Sequence, residues 1–314
     1  MGEMSYRQLG GSGLTVSVVG LGCNTFGARI DPERTQAVVD AAVDAGVTLF
    51  DTADSYGDVP GRSEELLGRS LGSRRSKVVV ATKFGSDMRG GNGPDWGARA
   101  SRRYIRVAVE ASLRRLGTDW IDLYQLHWPD GVTPFDETLA ALDDLVTAGK
   151  VRYVGSSNLS AWQVVDADWT ARTAGLAPFV SAQNEYSLLN REAERELVPA
   201  CEHVGVGVLP YFPLASGLLT GKYRRGEAAP PGSRLASRPE RLAAADFDRL
   251  EGLEGFARER DLSLLDVAIG GLAAHPAVAS VIAGATSPEQ VRANVAAGSW
   301  QPAPDDLAAL DEIT

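Results

Sequence analysis

Val47-Thr-Leu-Phe-Asp51-Thr-Ala-Asp-Ser-Tyr56-Gly57 opens as a short apolar run and closes as a polar loop. The run suits a strand buried on both faces of a parallel sheet. The loop carries a carboxylate at Asp51 and a phenol at Tyr56. Two later strands close in the same way. Lys77-Val-Val-Val-Ala-Thr-Lys83 ends on a lysine, and Ile121-Asp-Leu-Tyr-Gln-Leu-His127 ends on a histidine. In a barrel of parallel strands such ends meet at the C-terminal mouth, where barrels carry out their chemistry. Asp51, Tyr56, Lys83 and His127 are therefore the candidate catalytic set.

The strand–helix unit repeats on both sides of this stretch. Val16 to Leu21 reads as the first strand. Asp31-Pro32-Glu33 then opens a helix, with Asp as N-cap and Pro at the first helical position, and Gly46 ends it. Further strands are expected at 77–83, 121–127, 151–156, 179–184, 206–211 and 278–283. Helices are expected near 63–71, 101–116, 135–148, 160–174, 190–203, 246–259, 263–274 and 288–297. Eight such pairs, parallel and joined by right-handed crossovers, close into a (β/α)8 TIM barrel. Residues 5–19 alternate polar and apolar positions around Gly10-Gly11-Ser12-Gly13 and read as an N-terminal β-hairpin capping the bottom. A doubly wound sheet competes, but it needs an early G-x-G-x-x-G turn, and Gly20-Leu-Gly22-Cys-Asn-Thr25 lacks the third glycine. With no linker or low-complexity tract, residues 1–314 are expected to form one domain. The Pro/Gly/Arg-rich stretch 226–239 is long for a barrel connection and reads as a lid or binding loop.

Bulk properties narrow the function. A net charge of -10 argues against nonspecific binding to nucleic acid or to an anionic membrane surface. It leaves room for a local basic pocket. The two cysteines, Cys23 and Cys201, have no CxxC spacing, which fits a reducing compartment. No apolar run reaches the roughly 18 residues of a membrane span. The N-terminal stretch lacks the apolar core of a signal peptide, so a cytoplasmic location is expected.

The four mouth residues suit proton delivery to a carbonyl oxygen. A free tyrosine has a pKa near 10, and an ammonium at Lys83 would favour its phenolate and lower that value. Asp51 would pair with Lys83 and fix it. A neutral His127 would donate a hydrogen bond to the carbonyl. No side chain supplies a hydride, so a nicotinamide cofactor is required.

These motifs resemble the aldo-keto reductase superfamily over essentially the whole chain. The resemblance rests on Phe50-Asp51-Thr52-Ala53-Asp54-Ser55-Tyr56-Gly57 with Ser63-Glu64-Glu65-Leu66-Leu67-Gly68, on Ala81-Thr82-Lys83, and on Asp122-Leu123-Tyr124-Gln125-Leu126-His127. Gly155-Ser-Ser-Asn158 and Gln183-Asn184-Glu185-Tyr186 extend it. It implies an NADPH-dependent carbonyl reductase with Tyr56 as proton donor and a small-molecule carbonyl substrate. By motif, Asp51 would lie near the nicotinamide ribose. Ser157, Asn158 and Gln183 would hold the carboxamide, and Tyr211 would stack on the ring. Pro213, Leu214, Ser216, Gly217 and Lys222 would cover the pyrophosphate, with Arg234 on its phosphate side. Gly284, Thr286, Gln290 and Asn294 would form the adenosine site, where Thr286 and Arg292 would meet a 2′-phosphate. The nearest pattern is the branch with potassium-channel β subunits and bacterial oxidoreductases. Cys23, Asn24 and Ala293 depart from it, and the loop from Phe84 to Trp96 is its own, with Met88 and Trp96 as candidate pocket residues.

Two other functions compete. A regulatory subunit that binds NADPH and acts through a protein partner would share the barrel. A barrel metallohydrolase would need histidine ligands. Only His127, His203 and His275 exist, with no H-x-H pair, and the last two fall away from the mouth.

Overall fold

The computed structural model describes residues 4–314. Met1, Gly2 and Glu3, which begin the expected domain and the N-terminal stretch read for a signal peptide, lie outside the described residues. Side chains alternate up each barrel strand. Phe50, Val80, Tyr124 and Val154 face outward into the large core shared with the helices. Leu49, Ala81, Leu123 and Leu209 face inward and pack on one another in a second, smaller core.

Eight parallel strands build the ring. They are β3 (Val19–Gly22), β4 (Leu49–Asp51), β5 (Val79–Phe84), β6 (Ile121–Leu126), β7 (Val151–Ser157), β8 (Phe179–Gln183), β9 (Gly207–Val208) and β10 (Val281–Gly284). They pair in the order β10-β3-β4-β5-β6-β7-β8-β9. Val208 N donates to Ala277 O (2.8 Å), Ala279 N to Val208 O (3.0 Å) and Ile282 N to Pro210 O (3.0 Å), and these bonds close the circle. The fold is the expected (β/α)8 barrel.

The capping residues decide where the helices begin. Asp31 accepts from Arg34 N at the head of α1 (Pro32–Asp44), ahead of α2 (Arg62–Leu71). Ser101 accepts from Tyr104 N at the head of α3 (Arg102–Leu116), which precedes α4 (Phe135–Thr147). Ser160 and Gln163 form a capping box at α5 (Ala161–Ala174).

The helix expected near 190–203 begins later. A 3-10 turn at Glu192–Glu194 precedes α6 (Leu197–Val204). Pro199 has no N–H and fits only the first turn, so the helix starts just before it. The long segment 213–245 contains a 3-10 stretch, Ala215–Thr220, and the short α7 (Pro239–Ala243). It packs on its own cluster of Tyr223, Leu235 and Leu242. Then come α8 (Phe247–Glu259), α9 (Leu264–Ala273), α10 (Pro288–Ala297) and α11 (Pro304–Ile313). The last helix is not among the expected elements, and Leu310 is its one buried anchor.

The hairpin, β1 (Tyr6–Gln8) against β2 (Thr15–Ser17), plugs the bottom. Leu9 and Val16 enter the interior cluster. Gly10 sits at φ +57°, and a Cβ there would lie 2.5 Å from Gly205 O and 2.6 Å from Gly207 N. Gly10→Ala is therefore expected to cost about 3 kcal/mol, read as a lower urea midpoint. An unchanged midpoint would show that the plug is loose.

Candidate active site

Period-two alternation carries the inward face of each strand from apolar to polar as it rises. Leu49 gives way to Asp51, Ala81 to Lys83, Leu123 to Gln125 and then His127. A polar layer thus sits directly on the apolar plug of the barrel.

Lys83 is completely buried. Its Nζ donates to Asp51 Oδ2 (2.7 Å) and to Thr52 O (2.8 Å), and lies 5.0 Å from the centroid of the Tyr56 ring. Burial pushes the ammonium down, but Asp51 and Tyr56 hold it up, and the net is above an ordinary lysine. It is charged at neutral pH.

Tyr56 departs from expectation. Burial raises its pKa, Lys83 pulls it partly back, Asp51 opposes Lys83, and the net lies above the ordinary phenol value. The reason is that Lys83 is already committed to Asp51. Its shared charge returns less than the loss of water around the hydroxyl removes.

His127 Nδ1 lies 2.8 Å from Ser86 Oγ, and its ring meets Tyr56 edge-on at 5.7 Å. Burial, then Lys83, lowers its pKa to about 3, so the ring is neutral.

From this cluster a cavity of 550 Å³ runs across the mouth. Of the expected catalytic and cofactor residues, all but Lys83 and Arg292 line it, and Lys83 lies behind its wall. Gln183 Nε2 donates to Asp51 Oδ1 (2.8 Å), Ser157 Oγ to Gln183 O (2.8 Å) and Asn158 Nδ2 to Ser157 Oγ (3.0 Å), so the three form one chain along the wall. Tyr211 donates to Asn158 Oδ1 (2.8 Å), which fixes its ring. Pro213, Leu214, Ser216, Gly217, Lys222 and Arg234 form one stretch of wall, and Gly284, Thr286, Gln290 and Asn294 another. Asn158, Phe212 and Ser216 hold left-handed backbone at φ 59°, 53° and 59° along this wall, strain of the kind that gathers at functional sites.

Some expected residues do not join it. Arg292 pairs with Glu289 (3.1 Å) at the surface and does not line the cavity. Met88 is packed away, and Trp96 is 77% exposed under the Arg103 guanidinium. His203 ends α6 and His275 follows α9, neither of them in the cavity.

Other residues come from outside the expected set. Arg29 lines the cavity near Arg234 and donates to Gly232 O (3.2 Å). Among the described residues no carboxylate pairs with Arg29, Lys222 or Arg234. Burial, and then the like charges of Arg29, Arg238 and Arg241, depress Arg234. Like charges gathered this way call for an anion. Gln125 joins Asp51 and Gln183 under the cavity floor. Its signal in the sequence is its place two residues before His127, on the same strand face.

Behind the Tyr56 loop, Glu64 accepts from Thr82 Oγ1 (2.6 Å) and Arg115 Nε (2.6 Å). Asp54 is fully buried beside them with neither oxygen in a hydrogen bond. The Ser55 backbone N–H pulls on it only weakly. Burial, then Glu64, holds Asp54 well above the usual carboxylate range. Its folded pKa exceeds its unfolded one, so the folded state keeps a proton that the unfolded chain releases. Stability therefore falls as pH climbs from about 4 toward the folded value. Asp54→Asn should remove that slope and gain roughly 1–2 kcal/mol at pH 7. Urea titrations at pH 5 and pH 8 that show the slope intact in the variant would place it elsewhere.

Fold and mouth together define the class, a barrel oxidoreductase that reduces carbonyl groups. The chain belongs to the aldo/keto reductase family, whose profile matches residues 18–314. It is 38% identical over 305 residues to a probable voltage-gated potassium channel subunit beta of Oryza sativa subsp. japonica, covering 94% of this chain and 91% of that one. It is 34% identical over 338 residues to versiconal hemiacetal acetate reductase of Aspergillus parasiticus (98% and 96%). It is 35% identical over 310 residues to L-glyceraldehyde 3-phosphate reductase of Escherichia coli strain K12 (94% and 88%). The family generally uses nicotinamide cofactors. Among the described residues no helix is long and apolar enough to cross a membrane.

Proposed function

We propose that the protein is an NADPH-dependent reductase that converts a small aldehyde or ketone to its alcohol, with Tyr56 as proton donor. The observation that carries this is the buried Asp51–Lys83 pair directly beneath Tyr56 at the cavity floor. The chain's residues fit the cofactor. Gln183 spends Nε2 on Asp51 (2.8 Å), leaving Oε1 for a carboxamide. Tyr211 offers a fixed aromatic face, and Lys222, Arg234 and Arg29 offer unpaired charge for phosphates. When bound, the reduced nicotinamide supplies the hydride to the carbonyl carbon.

With the Ser86 hydroxyl donating to Nδ1, His127 carries its proton on Nε2 and orients the carbonyl oxygen through it. Tyr56 gives its hydroxyl proton to that oxygen. Lys83 steadies the phenolate until solvent restores the proton, and Asp51 keeps Lys83 in place. The raised Tyr56 pKa serves this direction, because the hydroxyl keeps its proton throughout the neutral range. Reduction should accordingly show no histidine limb between pH 5 and pH 8. A loss of rate centred near 6.5 in a pH profile would count against a neutral His127.

The 2′-phosphate falls to Arg234 and Arg29 with Thr286, in place of Arg292. Arg234→Met is expected to weaken NADP about a hundredfold and NAD by much less, since charge-assisted bonds to phosphate are the strong ones. Equal losses for both dinucleotides in a fluorescence titration would refute this.

The similarity to a channel-subunit protein favours one alternative, a regulatory subunit acting through a partner. A carbonyl panel followed by NADPH absorbance separates the two, and silence across it would favour the subunit.

A further inference from the structure

We propose that Phe212 is a positioning residue: its ring carries the Arg234 guanidinium, and so sets how strongly the site prefers NADP to NAD. This rests on the reading of Arg234 as a contact of the 2′-phosphate. Both side chains line the cavity.

The Arg234 guanidinium lies 4.8 Å from the centroid of the Phe212 ring. Among the described residues it donates no hydrogen bond and joins no ion pair, while Arg29, Arg238 and Arg241 repel it. The face of an aromatic ring carries partial negative charge, so it attracts a cation without neutralising it. A carboxylate in that place would also hold Arg234, but it would spend the N–H donors and repel a phosphate. The ring fixes the cation and leaves those donors to a ligand.

Phe212 is itself a firm platform. Tyr211 ties the chain to the barrel, its N–H donating to Asn184 O (3.0 Å) and its hydroxyl to Asn158 Oδ1 (2.8 Å). The Tyr211 ring meets Phe212 edge-on at 5.2 Å. On the other side Ala215 N donates to Phe212 O (2.8 Å) and closes a turn through Pro213. In that turn Phe212 holds φ +53°. Glycine or asparagine takes this backbone readily and a bulky aromatic residue does not. Local preference therefore does not account for a phenylalanine here, and the cation resting on its ring does. Arg234 comes from the stretch 226–239, where Leu235 N donates to the Tyr223 hydroxyl (3.2 Å) and steadies the backbone beside it.

The test is a selectivity ratio, Kd for NAD over Kd for NADP, from fluorescence titrations of the whole protein. Phe212→Leu keeps an apolar side chain and the same backbone strain, and removes the π face. It should lower the ratio about tenfold, within the range of a partly buried cation–π contact. Phe212→Tyr keeps the face and should hold the native ratio. Adenosine 2′,5′-bisphosphate, which has the phosphate and no nicotinamide, should also bind Phe212→Leu about tenfold more weakly. An effect routed through Tyr211 would spare it. A merely structural role would weaken NAD and NADP alike and leave the ratio unmoved. In the Arg234→Met background Phe212→Leu should change the ratio no further. Asparagine tolerates left-handed backbone, so Phe212→Asn takes the place of the leucine variant if that one does not fold. A ratio unmoved by Arg234→Met would overturn the 2′-phosphate reading itself. A ratio that falls in Arg234→Met but holds without the ring, or that falls further in the double variant, would leave that reading standing and overturn the role of Phe212.

Discussion

Tyr56→Phe is expected to lower kcat for any aldehyde about a thousandfold while leaving NADPH affinity within about twofold. The variant removes one hydroxyl and keeps the ring. The ring makes the edge contact to His127 and lies over Lys83, so the wall of the cavity stays in place. What is lost is the hydroxyl that the proposed mechanism uses as proton donor, beside a neutral imidazole and a buried ammonium. Single-turnover rates with saturating NADPH give the answer directly, and turnover close to that of the native chain would remove Tyr56 from the mechanism.

The second large effect is on Lys83. Lys83→Met leaves the Asp51 carboxylate, itself 3% exposed, without its cation. Breaking one side of a buried pair costs about 3–5 kcal/mol, so the denaturation midpoint should fall steeply and turnover should vanish. The double variant Asp51→Asn, Lys83→Met removes the orphaned charge and should regain most of the stability without regaining turnover. If the double variant is as unstable as the single one, the loss belongs to packing around the lysine stem and not to the charge.

Much of this site is legible in the sequence. Asp51, Lys83 and His127 each end a strand, and strand ends in a parallel barrel converge by topology. Three things were not legible. The acidity of Tyr56 depends on how fully water is excluded and on how completely Asp51 claims the ammonium, which are properties of three dimensions. The pairing of Arg292 with Glu289 is a local contest on one turn of α10, and a motif comparison cannot see it. Asp54 is only one residue of the Tyr56 motif in the sequence, yet folding encloses it next to Glu64. The eight-strand count survived because it rests on periodicity, capping residues and glycine stops. The late start of α6 is hidden in the sequence because one proline outweighs an otherwise helical pattern.

The sealing of Lys83 has a practical consequence. The chain contains only four lysines, at 77, 83, 150 and 222. An acylating reagent should reach three of them in the folded protein, and the amine inside the barrel only when the strands part. The slow labelling of that one residue, followed by mass spectrometry, would therefore act as a clock for whole-molecule opening under native conditions.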